Sequence, residues 1–253
     1  MTEPATRVAM WSGPRNISTA MMRSWENRSD TVVVDEPLYA SYLARTGIDH
    51  PAREEVLASQ PTDAREAIAA LHDPLPDGTT VHYAKHMSHH VADDLDLTWT
   101  LEFRNVILVR DPDEVVASYV RSRESCEPAD IGLLQQQRML AFWREHDATP
   151  PVVDAADFLR EPEVHLRWLC DWLRIDFEPA MLAWPAGPRA TDGVWAPHWY
   201  DAVRRSTGFE PWRRRVVDLS EHDAAVAAAC RPAYEELRAL RLRTGDEPVG
   251  GAS

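Results

Sequence analysis

Two stretches in the first half of the chain carry residue types suited to holding anions. The first is Trp11-Ser12-Gly13-Pro14-Arg15-Asn16-Ile17-Ser18-Thr19, where an apolar run breaks at Gly-Pro and a helical pattern follows from Ala20 to Asn27. A loop between a strand and a helix turns backbone N–H groups and the positive end of the helix dipole toward whatever anion enters. Arg15 adds a full positive charge. The nucleoside-triphosphate loop G-x-x-x-x-G-K-[ST] is a different pattern, because the lysine and second glycine are missing here; that argues against an ATPase, a GTPase or a kinase-like phosphotransferase. Taken alone, Ser18 and Thr19 serve equally well as helix caps.

The second stretch runs from Val106 to Arg123 and begins Val-Ile-Leu-Val-Arg-Asp-Pro-Asp-Glu. Arg110 falls at the carboxyl end of an apolar strand, where ligands of open α/β sheets bind. Ser118 lies two helical turns further on, roughly 10 Å along the axis at a 1.5 Å rise, so a long Arg side chain and a Ser hydroxyl can grip one phosphate. The plainer reading is an Arg-Asp pair that stabilises the strand-to-helix turn.

The elements that must position these residues follow from periodicity. Strands are expected at Arg7 to Ser12, Thr31 to Val34, Thr79 to Ala84, Arg104 to Val109 and Pro151 to Val153. Helical patterns separate them: Ala20 to Asn27, Asp63 to His72, a helix opened by Asp111-Pro112-Asp113-Glu114, Ile131 to Glu145, and Glu161 to Leu173 with Trp168 and Trp172 one turn apart. Asp111 supplies a cap, Pro112 the first helical position and the acids the first turn. Alternating strands and helices imply a three-layer α/β/α domain with a mainly parallel central sheet, spanning 1–243. Phe177 to Trp212 is a Pro- and Trp-rich stretch expected to be ordered loop and short helix, suited either to core packing or to walling a pocket. Ser220 to Arg243 closes the fold as a helix, and 244–253 reads as a flexible tail.

Composition narrows the partners. The 253 residues carry a formal charge of -14, which repels nucleic acid and heavily sulfated polymers, so an anionic ligand needs a local positive pocket. The longest uncharged apolar run is far short of the roughly 20 residues that span a bilayer, and no signal-peptide pattern follows the first residues. A cytoplasmic protein with no membrane partner is expected, monomeric or homo-oligomeric. Cys126, Cys170 and Cys230 are widely spaced and read as reduced, buried thiols rather than a disulfide framework or zinc site.

Pro14 to Thr19 resembles the 5′-phosphosulfate loop of sulfotransferases that use 3′-phosphoadenosine 5′-phosphosulfate (PAPS), and Val109-Arg110-Asp111-Pro112 through Ser118-Tyr119 resembles their 3′-phosphate segment. The likeness covers about Arg7 to Arg123, and it implies a P-loop-like sulfotransferase fold. By that resemblance Arg15, Asn16, Ile17, Ser18 and Thr19 hold the 5′-phosphosulfate, while Arg110 and Ser118 hold the 3′-phosphate. Many members have Gly where this chain has Ile17 and often Ser where it has Asn16, so a β-branched residue must meet the loop's dihedral requirements.

Sulfuryl transfer from PAPS to a small acceptor also needs a base for the proton of the acceptor hydroxyl or amine. Glu36, in Asp35-Glu36-Pro37 after the second strand, is at the same sheet edge as the loop, and several sulfotransferase branches are similar in using a glutamate there. His86 is the second candidate, because another branch uses Lys-x-His near this place where this chain has Lys85-His86. Lys85 is expected to neutralise sulfuryl oxygens or the leaving group. His89 and His90 are adjacent, early in an expected helix, and lack carboxylates at metal-ligand spacing, so no metal is expected. A late stretch, Arg204-Arg205-Ser206-Thr207-Gly208-Phe209, is similar in composition to the basic loop that sulfotransferases close over the 3′-phosphate, which nominates Arg205, Thr207 and Gly208. A helix ending at Gly208 is the alternative. A reading from a different class is a catalytically inactive nucleotide-binding or scaffolding protein on the same fold.

Overall fold

A computed structural model describes residues 5–121, 125–214, 216–243 and 245. Five strands, β1 (Thr6–Ser12), β2 (Thr31–Asp35), β3 (Val81–Met87), β4 (Arg104–Val109) and β5 (Val152–Asp154), form one sheet in the order β2-β3-β1-β4-β5. Every neighbouring pair runs parallel. Parallel strands must be covered on both faces, which is why Val8–Trp11 of β1, Val32–Val34 of β2 and Val106–Val109 of β4 are continuous apolar runs rather than alternating.

Helix α1 (Ser18–Glu26) follows β1, and α2 (Tyr39–Thr46), α3 (Arg53–Ser59) and α4 (Ala64–Ala70) lie between β2 and β3. Between β4 and β5 come α5 (Pro112–Tyr119), α6 (Pro128–Ile131) and α7 (Leu133–Glu145). After β5 come α8 (Ala155–Arg160), α9 (Pro162–Leu173), α10 (Ala196–Trp199), α11 (Asp201–Arg205) and α12 (Glu221–Ala239). One core joins Ala9, Trp11, Ile107 and Val109 to α5, α7 and α12; the other joins Val8, Met10, Val106 and Leu108 to α1 and α9. Odd and even strand residues thus point to opposite layers.

Four differences from the sequence pattern stand out. The third strand runs past Ala84 to Met87, because β1 on one side and β2 on the other both continue to pair with it: Met10 and Asp35 face Lys85, and Trp11 faces His86. Lys85 and His86 are therefore strand residues on opposite faces. The helix expected from Ile131 is broken at Gly132, whose φ of 82° ends α6 and starts α7. Helix α8, which the sequence pattern did not announce, is capped by Asp154 accepting from the amides of Ala156 and Asp157. His89 and His90 sit in a 3-10 turn, Ser88–His90, rather than early in a helix. The expected tail at 244–253 lies outside the described residues apart from Gly245, as does Arg123.

Candidate active site

Chain connections reverse direction around β1: β2 and β3 lie to one side of it, β4 and β5 to the other. A crevice forms at the carboxyl ends of strands where such a switch occurs. The loop from Gly13 to Ile17 fills that position. Gly13 is obligatory for packing, since a Cβ there would come within 2.2 Å of the Ile131 carbonyl oxygen. Asn16 ties the loop to β4 by donating to the Leu108 carbonyl at 3.2 Å and accepts from the Ile17 amide at 2.8 Å.

Ile17 has φ -88° and ψ 15°, ordinary for an L-residue, and its side chain packs on the core beneath α1. The left-handed conformation in this loop falls on Arg15 instead, with φ 54°. The glycine habit of other members is thus not needed at position 17 for backbone reasons.

Arg15 Nε donates to Ser118 Oγ at 3.1 Å, and Arg110 Nη1 donates to the Arg15 carbonyl at 2.7 Å. The two stretches nominated from the sequence for anion binding are therefore in direct contact. Arg110 also holds Glu114 through Nε and Nη2 at 3.0 and 2.8 Å. Burial, with Arg121 and Arg110 nearby, lowers the Arg15 pKa. Crowded cations of this kind are relieved by a bound anion.

Across the sheet, Lys85 is 1% exposed. Of the 27 lysines and arginines in the chain it is the single lysine. Its Nζ donates to Asp35 Oδ1 and Glu36 Oε1, both at 2.8 Å, and lies 2.5 Å from the Tyr200 hydroxyl. Tyr200 in turn donates to Asp35 Oδ2 at 2.6 Å and accepts from Trp195 Nε1 at 3.1 Å. All three ammonium protons are thus used inside the cluster. Burial raises the Glu36 pKa, with Asp35 adding to the effect against the pull of Lys85. Burial opposes the charge on Lys85, but the two carboxylates outweigh it and raise its pKa. Glu36 has φ 46°. Left-handed backbone at a β-region terminus costs on the order of 1 kcal/mol and concentrates at functional sites.

A cleft of about 1180 Å³ joins these regions. It is lined by Arg15, Asn16, Ile17, Ser18, Thr19, Arg110, Ser118, Glu36, Lys85 and Gly208 of the residues nominated from sequence. Three nominees are not on its wall. His86 lies on the opposite face of the sheet, its ring stacked on Trp11 at 4.2 Å with neither ring nitrogen hydrogen-bonded, and burial drives its pKa down to about 3. Arg205 and Thr207 precede the lining residue Gly208, which bridges to Ala183. Helix α11 ends at Arg205 rather than at Gly208.

Residues that the sequence did not single out complete the wall. Arg121, Arg213 and Arg214 add charge on the loop side, and the arginine run after Trp212 was the signal available for two of them. Tyr39 and His50 line the Glu36 side, beside Trp199 from the Trp-rich stretch that the sequence offered as a pocket wall. Of the late tryptophans, Trp184 and Trp195 are core, while Trp199 and Trp212 line the cleft. Among the described residues no group of three or more His, Cys, Asp or Glu is placed to hold a metal, and no helix is long and apolar enough to cross a membrane. The three thiols are free, and burial pushes Cys126 up to about 12 and Cys170 and Cys230 to about 11, so none is a thiolate nucleophile.

The molecule is thus a parallel α/β sheet with a strand-to-helix loop after β1 and a buried carboxylate, Glu36, after β2. Residues 6–241 match the sulfotransferase domain, and the chain belongs to that family. The sulfotransferase domain from the curacin biosynthetic pathway superposes with a TM-score of 0.53 at 16% identity, covering 91% of this chain and 99% of its own. A sulfotransferase from Alicyclobacillus acidocaldarius gives 0.52 at 15% identity, with 96% and 98% covered. In sequence, the chain is 36% identical to the Arabidopsis thaliana branched-chain-amino-acid aminotransferase-like protein 1 over 94% of its length, and 34% identical to protein 2 over 90%. It spans only 42% and 40% of those two relatives.

Proposed function

We propose that this chain binds PAPS across the β1–β4 crevice and transfers its sulfuryl group to a hydroxyl or amine of a small acceptor, with Glu36 as the base. The observation that carries this reading is the contact between the two anion-binding stretches, Arg15 to Ser118 and Arg110 to the Arg15 carbonyl, in the cleft that Glu36 also lines. The residues fit the donor's chemistry: the N-terminal end of α1 with Arg15 suits a 5′-phosphosulfate, and Arg110 with Ser118 suits a second, separate phosphate. PAPS supplies a sulfuryl group already attached to a phosphate leaving group. Glu36 takes the acceptor proton from about 3 Å, and Arg15 with the loop amides offsets charge that gathers on the departing phosphate. Taking up that proton brings the Asp35–Glu36–Lys85 cluster from one net negative charge to none.

The aminotransferase-like names belong to proteins more than twice as long as the part matched. Transamination through an imine needs a lysine amine free to attack, whereas the chain's one lysine is held as an ammonium ion by two carboxylates. That geometry favours sulfuryl transfer.

Titration with adenosine 3′,5′-bisphosphate and with ATP, followed by tryptophan fluorescence, tests the donor assignment, because Trp199 and Trp212 line the cleft. The bisphosphate is expected to bind more tightly. Equal or tighter binding of ATP would sink the PAPS reading.

A further inference from the structure

The cleft is divided by charge along the strand order. On the side of β4 and β5 stand Arg15, Arg110 and Arg121, together with Arg213 and Arg214, whose segment is anchored near α8 by the Trp212 amide donating to the Leu159 carbonyl. On the side of β2 and β3 the wall around Glu36 is aromatic: Tyr39, His50, His90 and Trp199. Lys85 is the single cationic side chain on that wall among the described residues, and its three protons already go to Asp35, Glu36 and Tyr200. Burial lowers the pKa of His90, with His89 adding to the effect, so its ring is neutral.

These rings are held in place by one another. The Tyr39 hydroxyl and His50 Nδ1 are 2.8 Å apart, Tyr39 and His90 stack at 4.7 Å, and His50 meets Trp199 edge-on at 6.4 Å. With both carboxylates ionised, the Asp35–Glu36–Lys85 cluster keeps one negative charge in excess. Aromatic faces carry negative potential, and a partly desolvated carboxylate beside them deepens it. Such a recess repels a phosphate or carboxylate and attracts a cation.

We propose that the acceptor is a small alcohol bearing an ammonium group, its cation held against Tyr39, His50 and Trp199 and its hydroxyl directed at Glu36. This rests on the sulfuryl-transfer reading and specifies its acceptor. The hydroxyl oxygen forms a bond to sulfur, the sulfur–oxygen bond to the 5′-phosphate breaks, the proton passes to Glu36, and adenosine 3′,5′-bisphosphate leaves with the bonding electron pair. A cationic acceptor becomes a net-neutral sulfate ester, while Glu36 becomes neutral too. The attraction that gathers the acceptor is therefore weakened by the reaction itself, which favours release of the product.

Choline and its uncharged carbon isostere 3,3-dimethylbutan-1-ol separate charge from shape. Calorimetric titration of the protein saturated with adenosine 3′,5′-bisphosphate is expected to show choline binding about tenfold more tightly than the isostere. Trp199→Leu, at a half-buried position, is expected to weaken choline about tenfold while leaving bisphosphate affinity unchanged, which also shows that the variant is folded. Equal binding of the two alcohols, or no binding of either to a protein that does bind the bisphosphate, would overturn the cationic acceptor and leave the donor reading standing. A protein that fails to bind the bisphosphate would overturn both.

Discussion

Arg15, Arg110 and Ser118 reach one another from two short stretches of chain, whereas Glu36 meets Tyr200 only after 164 residues have folded back. Each half of the proposed anion side is made locally, where a strand ends, a loop turns and a helix starts, and the two halves then meet through the pairing of β1 with β4. The proposed proton-handling side draws on more separate elements, with Asp35 ending β2, Glu36 just after it, Lys85 inside β3 and Tyr200 beyond α10 sharing one hydrogen-bond network. The two sides should fail separately when changed.

The largest effect is expected from Glu36→Gln, which leaves the loop intact. Transfer to any acceptor should fall by about 10²–10⁴-fold, the range of a lost general base, with bisphosphate affinity unchanged. Full activity in that variant would remove Glu36 from its role, and lost binding would show that the two sides are not separable. A chain that binds the bisphosphate but transfers no sulfate to any alcohol, phenol or amine offered would instead fit the nucleotide-binding module.

Arg110→Ala reverses the comparison. Loss of charge-assisted hydrogen bonds to a phosphate should weaken the bisphosphate by about 10–100-fold. The acceptor side should keep its melting behaviour. Calorimetry on the variant would break the assignment if affinity hardly moved.

Asp35→Asn acts on the proton side alone. Glu36 must be ionised to act as base, so the rate rises with pH through its raised pKa. Removing the Asp35 charge should move that rising limb to lower pH, and a pH–rate profile reads the shift. Stability carries the same sign: above the ordinary 4.5 the unfolded state has released the Glu36 proton and the folded state has not. Wild type therefore loses stability relative to Glu36→Gln as pH rises from 4.5 through the raised folded pKa. A difference in melting temperature that stays flat over that range would count against the raised pKa.

The smallest effect is expected at Arg205. It does not line the cleft, and Arg205→Ala should change bisphosphate affinity by no more than about twofold, in line with surface substitutions away from a site. A tenfold loss by the same titration would bring the late loop back onto the nucleotide.

The same contrast explains what the sequence made legible. Strand-loop-helix punctuation at Gly13-Pro14 and the capped start at Asp111-Pro112 are local signals, and they located the loop after β1, Arg110 and Ser118, which the fold brings to one cleft. The placement of Lys85 against His86 depended on where β3 stops, which is decided by pairing with β1 and β2 rather than by its own residues. With the strand ending at Ala84 both side chains look available; with it running to Met87, pleating sends one to Glu36 and the other to Trp11. Tyr200 carried no signal at all, because its neighbours in sequence are Trp199 and Asp201 and its hydrogen-bond partners are residues 35 and 85.

Lys85 being the single lysine has a practical consequence. A lysine-specific endoprotease can cut this sequence at one bond, after Lys85, and in the native fold that bond is buried in the third strand with β1 and β2 on either side. Cleavage into two pieces therefore counts opening of the sheet itself, and a nucleotide that binds the folded form will slow it in proportion to its affinity when opening and reclosing are fast relative to cutting.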